Sequence, residues 1–326
     1  MNSPPHPLRA WLARHLAASR FAVVGLLLLF AFPAVYGAAF HNPEPAALRV
    51  AVVGPPATVS AARAALDPRQ FLAVRYPSEN AARRALAHDE IHGAYAGGTI
   101  LIASASGAIT AQKTEMALKA IDPRAAVEDI APLPPHDARG ISAFVAVASI
   151  TIASMVFAVL LTLAGGRHAL RARIVALTLV SGLGGVAAAL SVDTIDGALT
   201  GDFWGVAGVA ALLILAVTLA VHGLGRLLGG VGAALVALVI MLIGMTSSGG
   251  AVGYELQPAF FRAVSQLLPP GAALTAVRNV VYFDWAATLV PLLVLGAWAV
   301  GGLTAGLLGE RYGARSPRRA GALPSP

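Results

Sequence analysis

The sequence predicts an α-helical integral membrane protein with six transmembrane helices and a small α/β extracytoplasmic domain inserted between the first and second spans. The first observation is composition. The 326 residues are 57% hydrophobic and only 12% charged, with a mean hydropathy of +0.74, whereas a soluble domain is about half apolar and a quarter charged. The second is a series of long uncharged runs, and the third is the way the remaining charges sort between those runs.

A transmembrane helix needs about 20 apolar residues to cross a hydrocarbon core about 30 Å thick. Six runs without Asp, Glu, Lys or Arg meet this need: Phe21–Phe40, Ser142–Ala164, Ile174–Val192, Phe203–Gly223, Leu227–Met245 and Trp285–Leu308. The fifth is, with the third, the shortest and is rich in glycine. The first is open to a second interpretation as a cleaved signal peptide, but its length favours an uncleaved anchor.

The charges between the runs predict the orientation. Residues 1–20, 165–173, 224–226 and 309–326 together carry eleven basic residues and one acidic residue. Since basic segments are retained on the cytoplasmic side, both termini are predicted to be cytoplasmic. Arg outnumbers Lys by 21 to 2, a bias typical of a GC-rich bacterial genome, so the membrane is predicted to be a bacterial plasma membrane.

Residues 41–140 have the pattern of a folded domain outside the membrane. Strands are predicted at 48–54 and 71–76, a hairpin across Gly97-Gly98, and a further strand within 127–133; helices are predicted at 58–66, 78–88 and 108–120. Strands that alternate with helices indicate a small α/β domain with a partly parallel sheet.

Nothing in the chain predicts catalysis or a cofactor. The absence of cysteine excludes disulfides and thiol nucleophiles. His88, Asp89, Glu90 and His92 lie close together in sequence, but they straddle a helix end and match no closed ligand set, so a solvated loop is favoured over a metal site. We therefore predict no catalytic, cofactor-binding or metal-binding residue.

The distribution of charge argues against a nucleic-acid partner, because the basic residues sort by side of the membrane. Lys113 and Lys119 are the only lysines and stand in no phosphate-binding loop, so uphill transport would need energy from another subunit.

Two segments outside the spans are predicted to have defined roles. Residues 1–20 have the spacing of an amphipathic helix in the cytoplasmic interface. Residues 247–283 are predicted to form a semi-buried outer loop of two short helices around a proline turn, which Arg278 and Asp284 would close unless both are solvated. Residues 309–326 are predicted to be a disordered tail.

Small residues at four-residue spacing predict close helix packing, within the chain or across a dimer. Gly229, Gly230, Gly302 and Gly306 are the glycines in these pairs that we assign to that role.

Three stretches stand out beside this layout, namely 130–140, the Ser-Ser-Gly-Gly-Ala run at 247–251, and 267–283 with its Leu-Leu-Pro-Pro-Gly start. In the layout and in these stretches the chain resembles ABC-2-type transporter permeases, in the bacterial branch of phage-infection-protein-like and nitrosoguanidine-resistance-like membrane proteins.

The resemblance implies a homodimeric or heterodimeric permease subunit in membrane lipid that exports a hydrophobic or amphipathic compound with a separate ATPase. It places the ATPase-facing candidates at Arg167, Arg171 and Arg173. The outer-loop or gate candidates are Ser247, Ser248, Gly249, Gly250, Pro269, Pro270, Gly271, Arg278 and Tyr282. The alternative function is a non-transporting scaffold or envelope-interaction protein whose outer domain binds a partner.

Overall fold

The computed structural model describes residues 26–163, 170–250 and 252–313. It describes the side chains of these residues except 163, 170–173, 312 and 313. The chain divides into two compact units, one ending at Asn42 and the other starting at Pro43. The predicted amphipathic helix at 1–20 lies outside the described residues. The tail predicted to be disordered at 309–326 is helical at 309–313, where the last helix continues, and from 314 onward it also lies outside the described residues.

The first unit contains one described helix, α1 (Leu26–Phe40). Its apolar residues match the predicted first span, and Phe32, Tyr36 and Phe40 contact one another along one face, as side chains four residues apart do on a helix. The described length is below the about 20 residues that a crossing needs. Among the described residues the structure therefore shows five candidate spans, and α1 is not one of them.

The second unit begins with a five-stranded sheet. The strands are β1 (Leu48–Val53), β2 (Phe71–Tyr76), β3 (Ala94–Ala96), β4 (Thr99–Ile102) and β5 (Ala126–Asp129), and their order in the sheet is β2-β1-β3-β4-β5. All pairs are parallel except the β3–β4 hairpin. The predicted small, partly parallel α/β domain is confirmed.

Both faces of this sheet are covered, because successive strand residues point to opposite faces. Val50 and Val52 of β1 belong to one apolar core, and Ala51 between them belongs to the other. The helices connecting the strands are α2 (Pro56–Ala65), α3 (Glu79–Ala87) and α4 (Ala108–Lys119). The hydroxyl of Ser78 caps α3 by accepting a hydrogen bond from the amide of Ala81.

The rest of the unit is a helical bundle. Its helices are α5 (Ser142–Leu163), α6 (Leu170–Ala189), α7 (Phe203–Leu228), α8 (Gly230–Leu238), α9 (Met245–Ser247), α10 (Ala259–Ser265), α11 (Pro269–Tyr282) and α12 (Leu289–Gly313). Two segments are π-helical. Leu190–Ile195 extends α6, and Val239–Gly244 joins α8 to α9.

The five candidate spans are Ser142–Thr162, Ile174–Ile195, Phe203–Leu228, Gly230–Ser247 and Leu289–Arg311. They match the second to sixth predicted runs, including the glycine-rich fifth. The most apolar 18-residue window of the α7 span is 67% buried, against 22–44% for the others, so α7 is the central helix of the bundle. The bundle and the α/β domain belong to one compact unit.

The segment between α9 and α12 contains the two helices predicted around a proline turn. Pro269 and Pro270 are the first residues of α11, where a missing backbone N–H costs nothing. The last span begins at Leu289 and not at Trp285 as predicted, because Trp285 has a φ of 66° and lies in a turn. The indole of Trp285 donates a hydrogen bond to Asp202, the N-cap residue of α7, over 2.9 Å.

Candidate functional site

The α/β domain meets the α9–α12 connection through a set of polar side chains, which we name the junction cluster. Its members come from three places in the chain: the turn after α3, the start of α4, and the connection. They are Asp89, His92, Thr110, Tyr254, Glu255 and Arg278. Glu255 and Arg278 are each 7% exposed. Charged residues are almost never buried without partners, so the contacts of each one matter.

Arg278 links the two parts of the unit. One guanidinium nitrogen donates to the carbonyl oxygen of Ser106 over 2.8 Å, and another donates to the carbonyl oxygen of Gly250 over 2.6 Å. Ser106 belongs to the α/β domain and Gly250 to the connection. Arg278 therefore does not pair with Asp284, and neither is it solvated, contrary to both predictions. Burial lowers the pKa of Arg278, and the negative charge of Glu255 opposes that effect.

Gly249 and Gly250 shape the turn that receives Arg278. Their φ angles are 82° and 55°, in the left-handed region that glycine occupies at little cost. A side chain on Gly249 would also overlap the backbone nitrogen of Tyr254. The turn therefore needs glycine at position 249, both for the backbone angle and for the close approach of residue 254.

The two carboxylates of the cluster have neutral hydrogen-bond donors. The Tyr254 hydroxyl donates to Asp89 over 3.2 Å. The Thr110 hydroxyl lies 3.1 Å from the carbonyl oxygen of Val252 and 3.5 Å from a carboxylate oxygen of Glu255. Among the described residues, neither carboxylate forms a direct ion pair with Arg278.

Burial dominates the protonation states here. It raises the pKa of Glu255 to about 8, with a further contribution from the negative charge of Asp89. Burial also raises the pKa of Asp89, and lowers that of His92 against the opposing charge of Asp89. The Asp89 side chain keeps 29% exposure, so Glu255 is the carboxylate whose protonation depends most on burial.

The same geometry provides a set of metal-ligand atoms. The nearest donor atoms of Asp89, His92 and Glu255 all lie within 4.8 Å of one another. His88 and Glu90, the other two residues of the predicted solvated group, are exposed. The structure therefore separates the four residues that the sequence groups together: Asp89 and His92 turn towards Glu255, and the other two face outward.

The remaining gate candidates pack beside the cluster. Ser247 is the last residue of the candidate span Gly230–Ser247, and Ser248 follows it. Their hydroxyls donate to carbonyl oxygens of the preceding turn, at 3.2 Å and 2.7 Å. A side chain on Gly271 would overlap the carbonyl oxygen of Ser265. Tyr282 ends α11, with its hydroxyl 3.5 Å from the carbonyl oxygen of Ala198. All of the gate candidates except Tyr282 are buried.

The packing candidates fall into two groups. On α12, Gly302 lies against the backbone of α7, and a side chain on Gly306 would lie 3.5 Å from Gly223 of α7. Gly229 and Gly230, at the start of α8, have open space beside them. Of the ATPase-facing candidates, Arg167 lies outside the described residues, and the side chains of Arg171 and Arg173 are also not described.

A second candidate site is an apolar groove of about 470 Å³ between α5 and α6, with one lining residue from α7, which we name the span groove. Its walls carry small residues at Ala153, Gly184, Ala187 and Ala188, with larger apolar side chains at Ile150, Phe157, Val180 and Ile214. Ser149 and Ser154 add hydroxyls, of which Ser154 donates to the carbonyl oxygen of Ile150.

Sequence reasoning named Arg278, and it named Asp89 and His92 only as part of a solvated loop, so it missed Thr110, Tyr254 and Glu255. One signal was present: Glu255 is the only acidic residue between Asp202 and Asp284. A single carboxylate in so apolar a stretch marks a position where burial has to be compensated. Its partners could not be found in the same way, since Asp89 lies more than 160 residues earlier.

No protein-family model, curated protein or solved structure matches the chain.

The raised pKa of Glu255 predicts a pH-dependent stability. Its folded pKa of about 8 exceeds the ordinary value of 4.5, so between these values the folded state holds a proton that the unfolded state has released. Stability must then fall as pH rises. We expect the metal-free protein to lose up to about 2 kcal/mol between about pH 6.5 and pH 8.

Thermal unfolding in detergent with EDTA, scanned from pH 6.5 to 9, measures this effect. The window starts at 6.5 because His92, neutral when folded, would otherwise gain a proton on unfolding and oppose the trend. Glu255→Gln should weaken the dependence, and Glu90→Gln, at an exposed carboxylate, should leave it unchanged. Equal slopes in all three proteins would contradict the assignment.

Proposed function

We propose that the protein is a permease-like membrane subunit of an ABC-2-type export system. It would move a hydrophobic or amphipathic compound outward with energy from a separate ATPase. The observation that carries the proposal is the span groove. A ligand site of 300–1,000 Å³ with a mainly apolar lining and few polar groups suits such a compound, and the groove has about 470 Å³ with that lining.

The position of the groove supports a compound that enters from the bilayer. It lies between two helices whose outward residues are large and apolar, among them Val156, Leu160, Leu179 and Leu183. In a membrane these surfaces contact lipid chains, so a lipophilic compound could reach the groove by lateral diffusion. The small residues at Ala153 and Ala187, both exposed, keep the groove wide.

The layout of the chain agrees with the proposal. The sequence places the basic segments on one side, as expected for an ATPase facing the cytoplasm, and puts the α/β domain on the other. Arg278 joins that domain to the connection by two hydrogen bonds. Such an anchored domain suits a part of the transport unit better than an independent binding module, which is the alternative function.

A substitution that fills the span groove with a larger side chain tests the proposal. We expect Ala187→Phe to reduce efflux of a hydrophobic fluorescent dye from cells by about tenfold, because the new ring occupies the groove and removes the space for the compound. Leu183→Phe is the matched control: it lies one turn away on α6, does not line the groove, and is 71% exposed. Dye retention is compared in a deletion strain that expresses each variant at equal level.

Two results would overturn the proposal. One is unchanged efflux after deletion, with no ATPase recovered in stoichiometric amounts with the purified protein. The other is equal efflux by the Ala187→Phe variant and its control. If loss of the protein changes envelope integrity but not efflux, and the α/β domain retains an envelope component, the scaffold function is favoured instead.

A further inference from the structure

We propose that Asp89, His92 and Glu255 bind one divalent transition-metal ion of the Zn²⁺ class, which fastens the α/β domain to the α9–α12 connection. The proposal does not depend on the transport function. It assigns a binding site to residues for which we predict no metal from the sequence.

The donor set suits such an ion. One imidazole and two carboxylates are ligands that Zn²⁺ takes at about 2.0–2.2 Å, and three protein ligands leave a fourth position for water. The donor atoms already lie within 4.8 Å of one another. Tetrahedral ligands at these bond lengths stand about 3.4 Å apart, so side-chain rotations that bring the atoms closer by at most about 1.4 Å complete the site.

An unsatisfied buried group points to the missing fourth ligand. Asn279 is 6% exposed, and its amide nitrogen has no hydrogen-bond partner among the described residues. It lines the same cavity of about 20 Å³ as Asp89, Glu255 and Arg278. That volume suffices for one water molecule. A metal-bound water there would accept the hydrogen bond that Asn279 offers.

Charge gives an independent reason for a cation. The two carboxylates lie near one another with Arg278 as the nearby cation, but the guanidinium donates to backbone carbonyl oxygens and not to either carboxylate. Glu255 is buried with no ion-pair partner among the described residues, which is costly for a carboxylate, and a divalent ion would neutralise both groups. The Tyr254 hydroxyl donates a hydrogen bond to Asp89. Hydrogen bonds of this kind orient the ligands of a metal ion.

The ligands come from both sides of the junction. Asp89 and His92 belong to the turn that follows α3, and Glu255 belongs to the connection after α9. The backbone of Asp89 has a φ of 58°, which few residues other than glycine adopt. One ion would cross-link segments more than 160 residues apart in the sequence.

The test uses the full-length protein in detergent, purified through a tag without histidine, stripped with EDTA and dialysed. Calorimetric titration with ZnCl₂ is expected to show one ion per chain, and bound Zn²⁺ should raise the unfolding temperature. His92→Ala and Glu255→Gln should each weaken binding by at least about tenfold. His88→Ala is the matched control, since that histidine is four residues away and exposed, and it should bind as the wild type does.

Co²⁺ provides a second readout that does not depend on stability. Its visible absorption should report a nitrogen–oxygen site in the wild type and in His88→Ala, and should be lost in His92→Gln, a variant of similar size chosen to preserve folding. Far-UV circular dichroism and gel filtration verify that each variant is folded. No saturable binding, or equal affinity in the His92 and His88 variants, overturns the proposal; so does binding of Ca²⁺ with the same affinity as Zn²⁺.

Discussion

Replacement of Arg278 by methionine is expected to lower the free energy of unfolding by about 3–5 kcal/mol, the range for removal of one member of a buried charged group. Methionine retains most of the aliphatic length but donates no hydrogen bond. The carbonyl oxygens of Ser106 and Gly250 would lose their donor. Asp89 and Glu255 would also lose the favourable interaction with the positive charge of Arg278.

The effect should be concentrated where the two parts meet. Arg278 is the residue that hydrogen-bonds the α/β domain and the Gly249–Gly250 turn at once, so its loss should loosen that contact before the bundle unfolds. Hydrogen exchange should therefore rise around Ser106 and residues 252–256, and remain low in α7, the most buried span.

Thermal unfolding in detergent, with exchange measured by mass spectrometry, checks both parts of this expectation. Arg84→Met is the control, because Arg84 is exposed on α3 of the same domain. Comparable unfolding temperatures for the two variants would show that the buried guanidinium contributes no more than a surface one. Increased exchange throughout α7 would show that Arg278 supports the bundle rather than the junction.

Much of the α/β domain follows from local sequence. The alternation of Val50, Ala51 and Val52 predicts a strand buried on both faces, and the hairpin across Gly97-Gly98 follows from its two glycines, whose φ angles are 56° and 91°. Ser78 is visible as a helix cap. These features depend on neighbours within a few residues, which is why they can be predicted from one sequence.

The spans are predictable for a different reason. A crossing helix must be about 20 apolar residues long, and length and composition are directly visible. The residues at which the spans begin and end are harder to predict. From the sequence, the last span is predicted to start at Trp285 because that residue is apolar. In the structure Trp285 lies in a turn, and its indole donates a hydrogen bond to Asp202. Apolar character alone cannot show where a helix begins.

The junction cluster required the fold. Asp89, Glu255 and Arg278 are far apart in sequence, and their roles depend on which surface of the α/β domain lies against the connection. Periodicity and capping describe an element and its immediate flanks, so they contain no information about that contact. The sequence therefore identified Arg278 as unusual but assigned it the wrong partner.

Replacement of Gly302 by leucine is expected to destabilise the bundle by about 3 kcal/mol, the upper end of the cost of overpacking. A side chain at Gly302 would stand 2.5 Å from the backbone nitrogen of Ala220 on α7. A side chain at Gly223 would overlap the carbonyl oxygen of Gly302 in the opposite direction. Here the obstacle is backbone on both helices, which cannot rotate away as a side chain can.

Gly301→Leu is the control for this effect. Gly301 is the preceding residue of α12 and has open space where a side chain would be, so the two variants add the same group to the same helix on different faces. Both variants replace a glycine inside a helix by leucine, and this change alone slightly stabilises the helix. A loss of stability confined to Gly302→Leu would then come from the α7–α12 contact alone.

The measurement also separates packing within one chain from packing between two. If Gly302 acts within the chain, Gly302→Leu lowers the unfolding temperature at every protein concentration and in every oligomer. If it lies in a dimer seam instead, the variant should become monomeric on gel filtration while the unfolding temperature of the monomer stays that of Gly301→Leu. The contact of Gly302 with Leu219 and Ala220 of the same chain favours the first outcome, because lipid supplies no hydrophobic drive and close backbone approach must hold these two helices together.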